Sequence, residues 1–224
     1  MPRVIRCRQG GAAWLRHRLG RPTASHFADL VTPTGRLAAG KTRWSYLLSL
    51  VGERLTGKPG ETYVTAAMQR GTDLEPRARV WYSLETGRQV DEVGLVESDC
   101  RRWACSPDGL VGDDRGVEIK CLGRVAMLDA LEAGAPCWEH MSQCQACLWI
   151  TGRRVWDYVL WSDEPGMPAV VWPIEADAGM HAAFAAALPA FCAELDAVEA
   201  RMRELPVPIA VEPTDPTADW ADEA

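Results

Sequence analysis

The stretch SPDGLVGDDRGVEIK, residues 106–120, decides how this chain folds and which chemistry it can carry. Its two halves read as the strands of a hairpin joined by the turn sequence GDDRG. Glu118 and Lys120 are two residues apart in the second strand, so both side chains project from the same face. Ile119 points the other way, into the core, and Asp108 begins the preceding strand. The hairpin therefore predicts that Asp108 lies beside Glu118.

The residue types of this hairpin point to hydrolysis of a phosphodiester. Two carboxylates on adjacent strands repel each other unless a cation lies between them, and oxygen ligands suit Mg²⁺ or Mn²⁺. A lysine beside that cation can orient or deprotonate an attacking water. The pattern is short, however, and an exposed hairpin with turn acids and a Glu/Lys pair would show it too. The rest of the chain has to decide between these interpretations.

Further motifs flank the hairpin: RLGxxTAS from Arg18, GxxxEPxAR from Gly71, and HMxQxQxxLWxTG from His140. Together with SPDGL and EIKC they resemble the phage lambda exonuclease and YqaJ-like viral recombinase family over residues 14–175. The resemblance implies an α/β protein with a PD-(D/E)xK, restriction-endonuclease-like fold, in which helices flank a central mixed sheet. It also implies a metal-dependent 5′→3′ exonuclease that degrades linear double-stranded DNA and leaves single-stranded tails for phage-type recombination.

The resemblance assigns the metal chemistry to the hairpin. Asp108 and Glu118 would hold catalytic Mg²⁺, for which Mn²⁺ can substitute, and the backbone carbonyl of Ile119 would add a ligand. Lys120 would position the water. The family's exonuclease prototype has an acidic residue ten positions before the catalytic Asp, where this chain has Ser98 followed by Asp99. Whether Asp99 takes part in the metal site stays open.

Five residues outside the hairpin strands also receive roles from the resemblance. Glu75 would hold or tune a second metal ion, and Gln143 would orient groups around Lys120 and the scissile phosphate. Arg18, Ser25 and Ser106 match positions that hold the terminal 5′-phosphate in the family. This chemistry is reasonable, because arginine offers a forked donor to phosphate and hydroxyls add hydrogen bonds. Three of these residues also have a purely structural interpretation. Glu75 could be an acid favoured at a helix start, Gln143 a solvent-facing helix residue, and Arg18 a cation at a helix end.

The charge of the chain is segregated, although its net charge of −7 argues at first against a nucleic-acid partner. Residues 1–58 hold 11 Lys and Arg against two acidic residues, a net of +9. The net charge is −5 over residues 59–160 and −11 over residues 161–224. A polyanion meets a local basic face rather than the mean charge, so the first quarter can contact phosphate. The alternative is that scattered arginines solvate a helical surface.

We predict one nuclease domain over residues 1–205, because no internal repeat or low-complexity linker interrupts it. Residues 1–58 would form its basic, helical DNA-end-binding part and residues 59–176 its catalytic core. Residues 177–205 would form a C-terminal helix. The acidic segment at residues 206–224 combines Pro with acids and predicts a disordered tail.

Apolar spacing and turn residues predict the elements of this domain. Helices are expected over residues 11–18, 23–31, 42–56, 65–86, 124–133, 139–150 and 178–204. We expect Thr23 to cap the second helix and Gly71 and Pro76 to break or kink the fourth. The core face of the third helix should be Trp44, Leu47, Leu48, Val51 and Leu55. The sequence predicts an antiparallel meander of four strands at residues 89–97, 102–105, 108–112 and 116–121. Two further strands are expected at residues 155–162 and 168–174.

Gly35–Thr42 matches the phosphate-binding loop pattern G-x-x-x-x-G-K-[ST], which taken alone would indicate an ATPase. Such a loop needs a buried strand before it, whereas the preceding segment carries His26, Asp29 and Pro33, which disfavour a central strand. We therefore expect this loop to join two helices and to carry Arg36 and Lys41 toward DNA.

The eight cysteines indicate a reducing compartment, because the N-terminus has no apolar stretch of the kind that signals secretion. No run of 18 apolar residues exists, so we expect no transmembrane helix and no membrane partner. Cys144 and Cys147 share one side of a predicted helix and should face the core as free thiols. We prefer this interpretation to a zinc site or an iron–sulfur cluster. The expected location is the cytoplasm, that of the bacterial host if a phage or prophage encodes the protein.

Two rival functions remain: an endonuclease of the same fold, and a catalytically silent DNA-binding scaffold, against which the intact Asp108, Glu118 and Lys120 argue. The partners implied by the resemblance are double-stranded DNA ends, a single-strand annealing protein and two further copies of the chain in a trimeric ring.

Overall fold

The computed structural model describes residues 1–60 and 65–207. Residues 208–224, nearly all of the predicted acidic tail, lie outside the described residues. The helices are α1 (Ala12–Arg18), α2 (Phe27–Leu30), α3 (Lys41–Thr56), α4 (Ala66–Thr86), α5 (Arg124–Ala133), α6 (Trp138–Thr151) and α7 (Ala178–Arg203). The strands are β1 (Arg3–Ile5), β2 (Leu95–Glu97), β3 (Ala104–Cys105), β4 (Gly109–Val111), β5 (Arg115–Lys120), β6 (Val155–Leu160) and β7 (Val170–Glu175).

The strands form two sheets rather than one meander, which corrects the prediction for residues 89–121. One sheet has the order β1-β2-β3 and the other β4-β5-β6-β7. Both predicted hairpins exist, since β2 pairs antiparallel with β3 and β4 with β5, but the chain changes sheet between them. Of residues 89–97 only β2 is a strand, and Asp91 forms a single bridge to Leu110. Local pairing specifies a hairpin but not the distant strand that completes its sheet.

That distant strand is β6, which runs parallel to β5 along its whole length, from Arg115 opposite Val155 to Lys120 opposite Leu160. A parallel pair needs a crossover connection, and here α5 and α6 supply it. The crossover lays α6 over the sheet and buries Cys144 and Cys147 in the core as free thiols. The sheet is therefore mixed and flanked by helices, and α6 lies above the strand that carries Glu118 and Lys120.

Helix α3 forms as predicted, but its buried face differs from the predicted one. The buried residues are Arg43, Leu47, Leu50 and Val51. Three residues of the predicted core face are exposed instead: Trp44, Leu48 and Leu55. Arg43 takes a core position because its guanidinium lies over the Phe191 ring at 5.2 Å and bonds to Glu194 of α7. The apolar pattern could not reveal that pairing, because it treats every arginine as solvent-facing.

Helix α4 runs unbroken through Gly71 and Pro76, where the sequence predicted a break or kink. The Thr65 hydroxyl caps it by accepting a hydrogen bond from the Met68 backbone N–H at 3.1 Å. Gly87 ends it in the left-handed conformation with φ 68°.

Helix α7 is long and apolar enough to cross a membrane by length and composition, the one such helix in the described part of the chain. It packs on α3 and α6, and its buried side chains belong to the main core. The largest of them are Phe184, Leu188, Phe191 and Leu195. A core helix passes the same composition test, and this burial identifies α7 as one.

Candidate active site

Asp108 lies at the mouth of the β4–β5 hairpin, tied to the opposite strand. Its Oδ2 accepts a hydrogen bond from the Ile119 backbone N–H at 2.6 Å. Gly109 must follow it, because a Cβ at that position would lie 2.1 Å from the Val90 side chain and 3.1 Å from Val117. The close approach of these chains turns the Asp108 carboxylate toward β5. The predicted proximity of Asp108 to the Glu118 strand is confirmed.

Glu118 and Lys120 share one face of β5, as the period of two requires. The Lys120 Nζ donates to Glu118 Oε1 at 2.6 Å and to Gln143 Oε1 at 3.2 Å. Gln143 reaches this face because α6 crosses over the sheet. Glu118 is 1% exposed, and its Oε2 is buried without a hydrogen-bond partner. A buried carboxylate oxygen without a partner is costly unless a ligand satisfies it.

The charges of this cluster perturb one another. Burial raises the pKa of Asp108 well above its ordinary value, and the nearby Glu118 and Glu75 raise it further. Burial alone would lower the pKa of Lys120, but the Glu118 and Asp108 carboxylates outweigh it and the pKa is raised. Lys120 is thus held as an ammonium between acceptors.

Glu75, on α4, reaches the cluster through an arginine. Arg79 bonds to Glu75 Oε1, and its Nε donates to the Asp108 backbone carbonyl at 3.0 Å. Burial raises the pKa of Glu75, Arg79 opposes that shift, and Glu118 adds to it. The structure therefore brings Glu75 to the same cluster as Asp108 and Glu118, although its carboxylate is turned to Arg79.

The donor set suits a divalent cation. Within residues 1–60 and 65–207, no group of three or more His, Cys, Asp or Glu side chains is close enough to hold a metal ion. The hairpin brings the carboxylates of Asp108 and Glu118 together, and the buried Oε2 of Glu118 has no hydrogen-bond partner. A hard cation taking oxygen ligands would satisfy that oxygen and offset the repulsion between the carboxylates. The residues present therefore fit the metal that the resemblance implies.

A second cluster surrounds Arg18 at the end of α1. The Arg18 guanidinium donates to Ser106 Oγ and to Thr23 Oγ1, both at 3.3 Å, and lies 4.3 Å over the Trp14 ring. Trp14 Nε1 also donates to Ser106 Oγ at 2.9 Å. Burial lowers the pKa of Arg18, and among the described residues its bonds go to neutral hydroxyls. Such a guanidinium is free to take an anion.

Ser25 joins this cluster through Thr23. The two hydroxyl oxygens are 3.5 Å apart, and Ser25 is exposed. Thr23 is the N-cap residue of the second helix, as predicted, but its Oγ1 makes no capping bond and accepts from Arg18 instead. That helix is a 3-10 turn, Ala24–His26, leading into α2. We call Arg18, Thr23, Ser25 and Ser106 the hydroxyl pocket; Ser106 joins it to Asp108 through Pro107.

Sequence reasoning gave no site role to Trp14, Thr23 and Glu97. Glu97 on β2 is 3% exposed and bonds to Arg21 at 2.7 Å, His17 at 3.0 Å and Arg101 at 3.1 Å. Nothing in a lone glutamate of a short strand signals such a cluster. Thr23 does lie inside the quoted motif RLGxxTAS, and Trp14 lies one helical turn before Arg18, which could have drawn attention to them.

The positions of Asp99 and of the loop Gly35–Thr42 decide two questions that the sequence left open. Asp99 lies in the β2–β3 turn, 70% exposed, and pairs with the Met1 amino group at 3.1 Å, so it does not face Asp108. A phosphate-binding loop needs a buried strand before its glycines. This chain instead has helix α2 and the isolated bridge from Val31 to Leu37 before Gly40. The loop joins α2 to α3, as predicted.

Comparisons with known proteins agree with this architecture. The YqaJ-like viral recombinase domain matches residues 13–154. An alkaline exonuclease from Laribacter hongkongensis, LHK-Exo, is 36% identical with a TM-score of 0.78, covering 86% of this chain and 96% of that one. A second structure, LHK-Exo in complex with dAMP, matches equally. A phage-related exonuclease from Haemophilus somnus 129PT, 16% identical with a TM-score of 0.56, covers 90% of this chain and 97% of that one and supports the fold. No curated protein matches.

The mixed sheet, the Asp108–Glu118–Lys120 cluster and these similarities define a PD-(D/E)xK nuclease. The chain belongs to the YqaJ-like viral recombinase family.

Proposed function

We propose that this protein is a metal-dependent exonuclease that degrades linear double-stranded DNA from 5′ ends, with Mg²⁺ as its metal. Exonuclease activity in phage-type recombination is the function that its family and the LHK-Exo likeness support. The observation that carries the proposal is the buried Glu118 Oε2. This oxygen lies in the same cluster as Asp108 and Lys120 but has no hydrogen-bond partner.

We infer that Asp108, Glu118 and the Ile119 carbonyl hold the metal and that Glu75 holds or tunes a second ion. A divalent metal bound there would supply Lewis-acid stabilisation of charge at the scissile phosphate. Lys120, fixed between Glu118 and Gln143, aligns the attacking water with its Nζ.

The hydroxyl pocket then selects the end. Arg18 offers a charged, forked donor, and Ser25 and Ser106 offer hydroxyls. Ser106 is two residues from Asp108, so a 5′-phosphate held in the pocket sets the next phosphodiester near the carboxylates. That LHK-Exo was crystallised with dAMP, a nucleotide, supports nucleotide binding in this fold.

Organisation and partners follow the same proposal. We infer a single nuclease domain over residues 1–205, supported by one core cluster that joins residues from Ala24 to Val198. A trimeric ring, a single-strand annealing partner and a cytoplasmic location accord with a nuclease of phage-type recombination. The eight thiols are free, as a reducing compartment requires.

The deciding experiment is digestion of linear and closed circular duplex DNA with Mg²⁺, with a label at either end. We expect loss of the 5′ label first and intact circles. Equal cutting of circles would identify the rival endonuclease, and no cleavage with Mg²⁺ or Mn²⁺ would identify a silent scaffold.

A further inference from the structure

Three aromatic rings form a column from the core to the surface beside the hydroxyl pocket. The rings of His26 and Tyr46 stack with centroids 4.1 Å apart and planes inclined by 17°. Tyr46 in turn stacks on Phe191 at 6.0 Å and 16°. Phe191 is fully buried, whereas 44% of the His26 side chain is exposed. We call these residues the ring column; His26 is its outer end.

Two residues of the ring column, Tyr46 and His26, form hydrogen bonds to Thr23 of the hydroxyl pocket. The Tyr46 hydroxyl accepts a hydrogen bond from the Thr23 backbone N–H at 3.0 Å. The Thr23 hydroxyl also accepts a hydrogen bond from the Arg18 guanidinium. His26 follows Ser25 directly, and its own N–H donates to the Thr23 carbonyl at 2.9 Å. The exposed ring therefore lies next to the groups that would receive a terminal phosphate.

The outer ring is held in orientation before any ligand arrives. His26 Nδ1 lies 2.9 Å from Asp29 Oδ2, and because a carboxylate only accepts, Nδ1 carries the proton. Tyr46 supports one face of the ring. An exposed aromatic ring that is already immobilised loses little conformational entropy when a ligand stacks on it.

We propose that His26 is a stacking platform for the terminal base of the DNA strand whose 5′-phosphate occupies the hydroxyl pocket, with the base on the ring face opposite Tyr46. This inference rests on the proposed exonuclease function and adds a base-binding subsite to it. The ligand class is a 5′-nucleotide, in which a phosphate and a heteroaromatic base are joined by one sugar. Every base has a π-face, so stacking tolerates all sequences, as an enzyme that removes successive nucleotides requires.

The test compares two 5′-phosphorylated duplexes that differ only in the terminal nucleotide, which is normal in one and an abasic tetrahydrofuran residue in the other. Release of the first product is measured in single-turnover reactions at subsaturating enzyme. We expect the wild type to favour the normal end about tenfold, the scale of one base–aromatic stack. His26→Ala should bring that ratio near one, and His26→Phe should keep it. Trp44→Ala removes an exposed ring of the same helix as Tyr46 and should also keep it.

Thermal melting of each variant checks that the ring column still folds, and His26→Phe retains a ring if alanine loosens it. A ratio unchanged in His26→Ala overturns the stacking platform while leaving the exonuclease intact. Loss of the ratio in His26→Phe as well as His26→Ala also overturns it, since the contact is then polar. A wild type that degrades no linear duplex with Mg²⁺ or Mn²⁺ overturns the proposed function and this inference together.

Discussion

The backbone N–H of Ile119 donates a hydrogen bond to the Asp108 carboxylate across 2.6 Å. This bond fastens the residue just before β4 to the strand that carries Glu118 and Lys120. The Asp108 carboxylate is thereby held in place, while desolvation and then its neighbours of like charge raise its pKa. The hairpin thus brings two carboxylates together and creates a repulsion that a metal ion would relieve.

Replacing Lys120 by alanine should abolish cleavage while DNA binding persists. Its Nζ contacts Glu118 and Gln143 and has the position of a group that acts on the attacking water. Removing one preorganised hydrogen-bond donor of this kind costs about 10²- to 10³-fold in rate. Single-turnover rates and a binding titration in Ca²⁺ measure the two properties separately.

The matched control for that variant is Lys41→Ala, which removes an exposed lysine at the start of α3. It should keep most of the nuclease activity, and the wild type should show no DNA-stimulated ATP hydrolysis. Retention of more than about a tenth of wild-type cleavage in Lys120→Ala would contradict the assigned role.

Mg²⁺ should raise the melting temperature of the wild type through Asp108 and Glu118. A ligand that binds only the folded state stabilises it, by about 2.7 kcal/mol at a concentration 100 times its Kd. Asp108→Asn removes one oxygen ligand charge, so most of the Mg²⁺-dependent shift should disappear. Calorimetry with and without Mg²⁺ measures the shift without reference to activity.

Asp99→Asn is the control for the metal experiment, because its carboxylate is exposed in the β2–β3 turn. It should retain the whole shift. If Asp99→Asn loses the shift and Asp108→Asn keeps it, the metal ligands have been assigned to the wrong acids.

Replacing Arg18 by alanine should erase most of the preference for 5′-phosphorylated over 5′-hydroxyl ends. Only the phosphorylated end loses a charge-assisted hydrogen bond, worth about 1.5–3 kcal/mol. Initial rates on the two matched duplexes measure the preference. Arg16→Ala, an exposed arginine of the same helix, is the control and should preserve it. Equal slowing of both ends in Arg18→Ala would reduce Arg18 to a general backbone contact.

Glu97 should protect the fold against acid. Burial alone would raise its pKa, but Arg21 and His17 outweigh that and hold the pKa below the ordinary value of 4.5. Because the folded pKa is depressed, the stabilisation is present above about pH 4.5 and is lost as the pH falls through the folded value.

Glu97→Gln leaves the cations around Glu97 without their partner and should cost about 3 kcal/mol at pH 7. Denaturant unfolding of wild type and variant from pH 7 down to pH 3 measures the difference between them. A gap that stays constant down to pH 3 would show that the carboxylate charge contributes nothing.

The local elements and the reactive residues could be predicted from the sequence. Spacing placed α5 at residues 124–133, where the structure has it, and put Glu118 and Lys120 on one face of β5. Both are consequences of short-range geometry, a helical period of 3.6 residues and a strand period of two. Neither needs knowledge of a distant partner.

Tertiary structure alone decided which elements meet. The period of two could not reveal that β5 pairs with β6, nor that the hairpins divide between two sheets. The buried place of Arg43 depends on Glu194, more than a hundred residues away. His26 is an unremarkable residue in the sequence, and only the fold stacks it on Tyr46 beside Arg18 and Ser25. Side-chain burial and charge pairing are properties of contacts between distant segments, and so the sequence determined the chemical groups while the tertiary structure determined their neighbours.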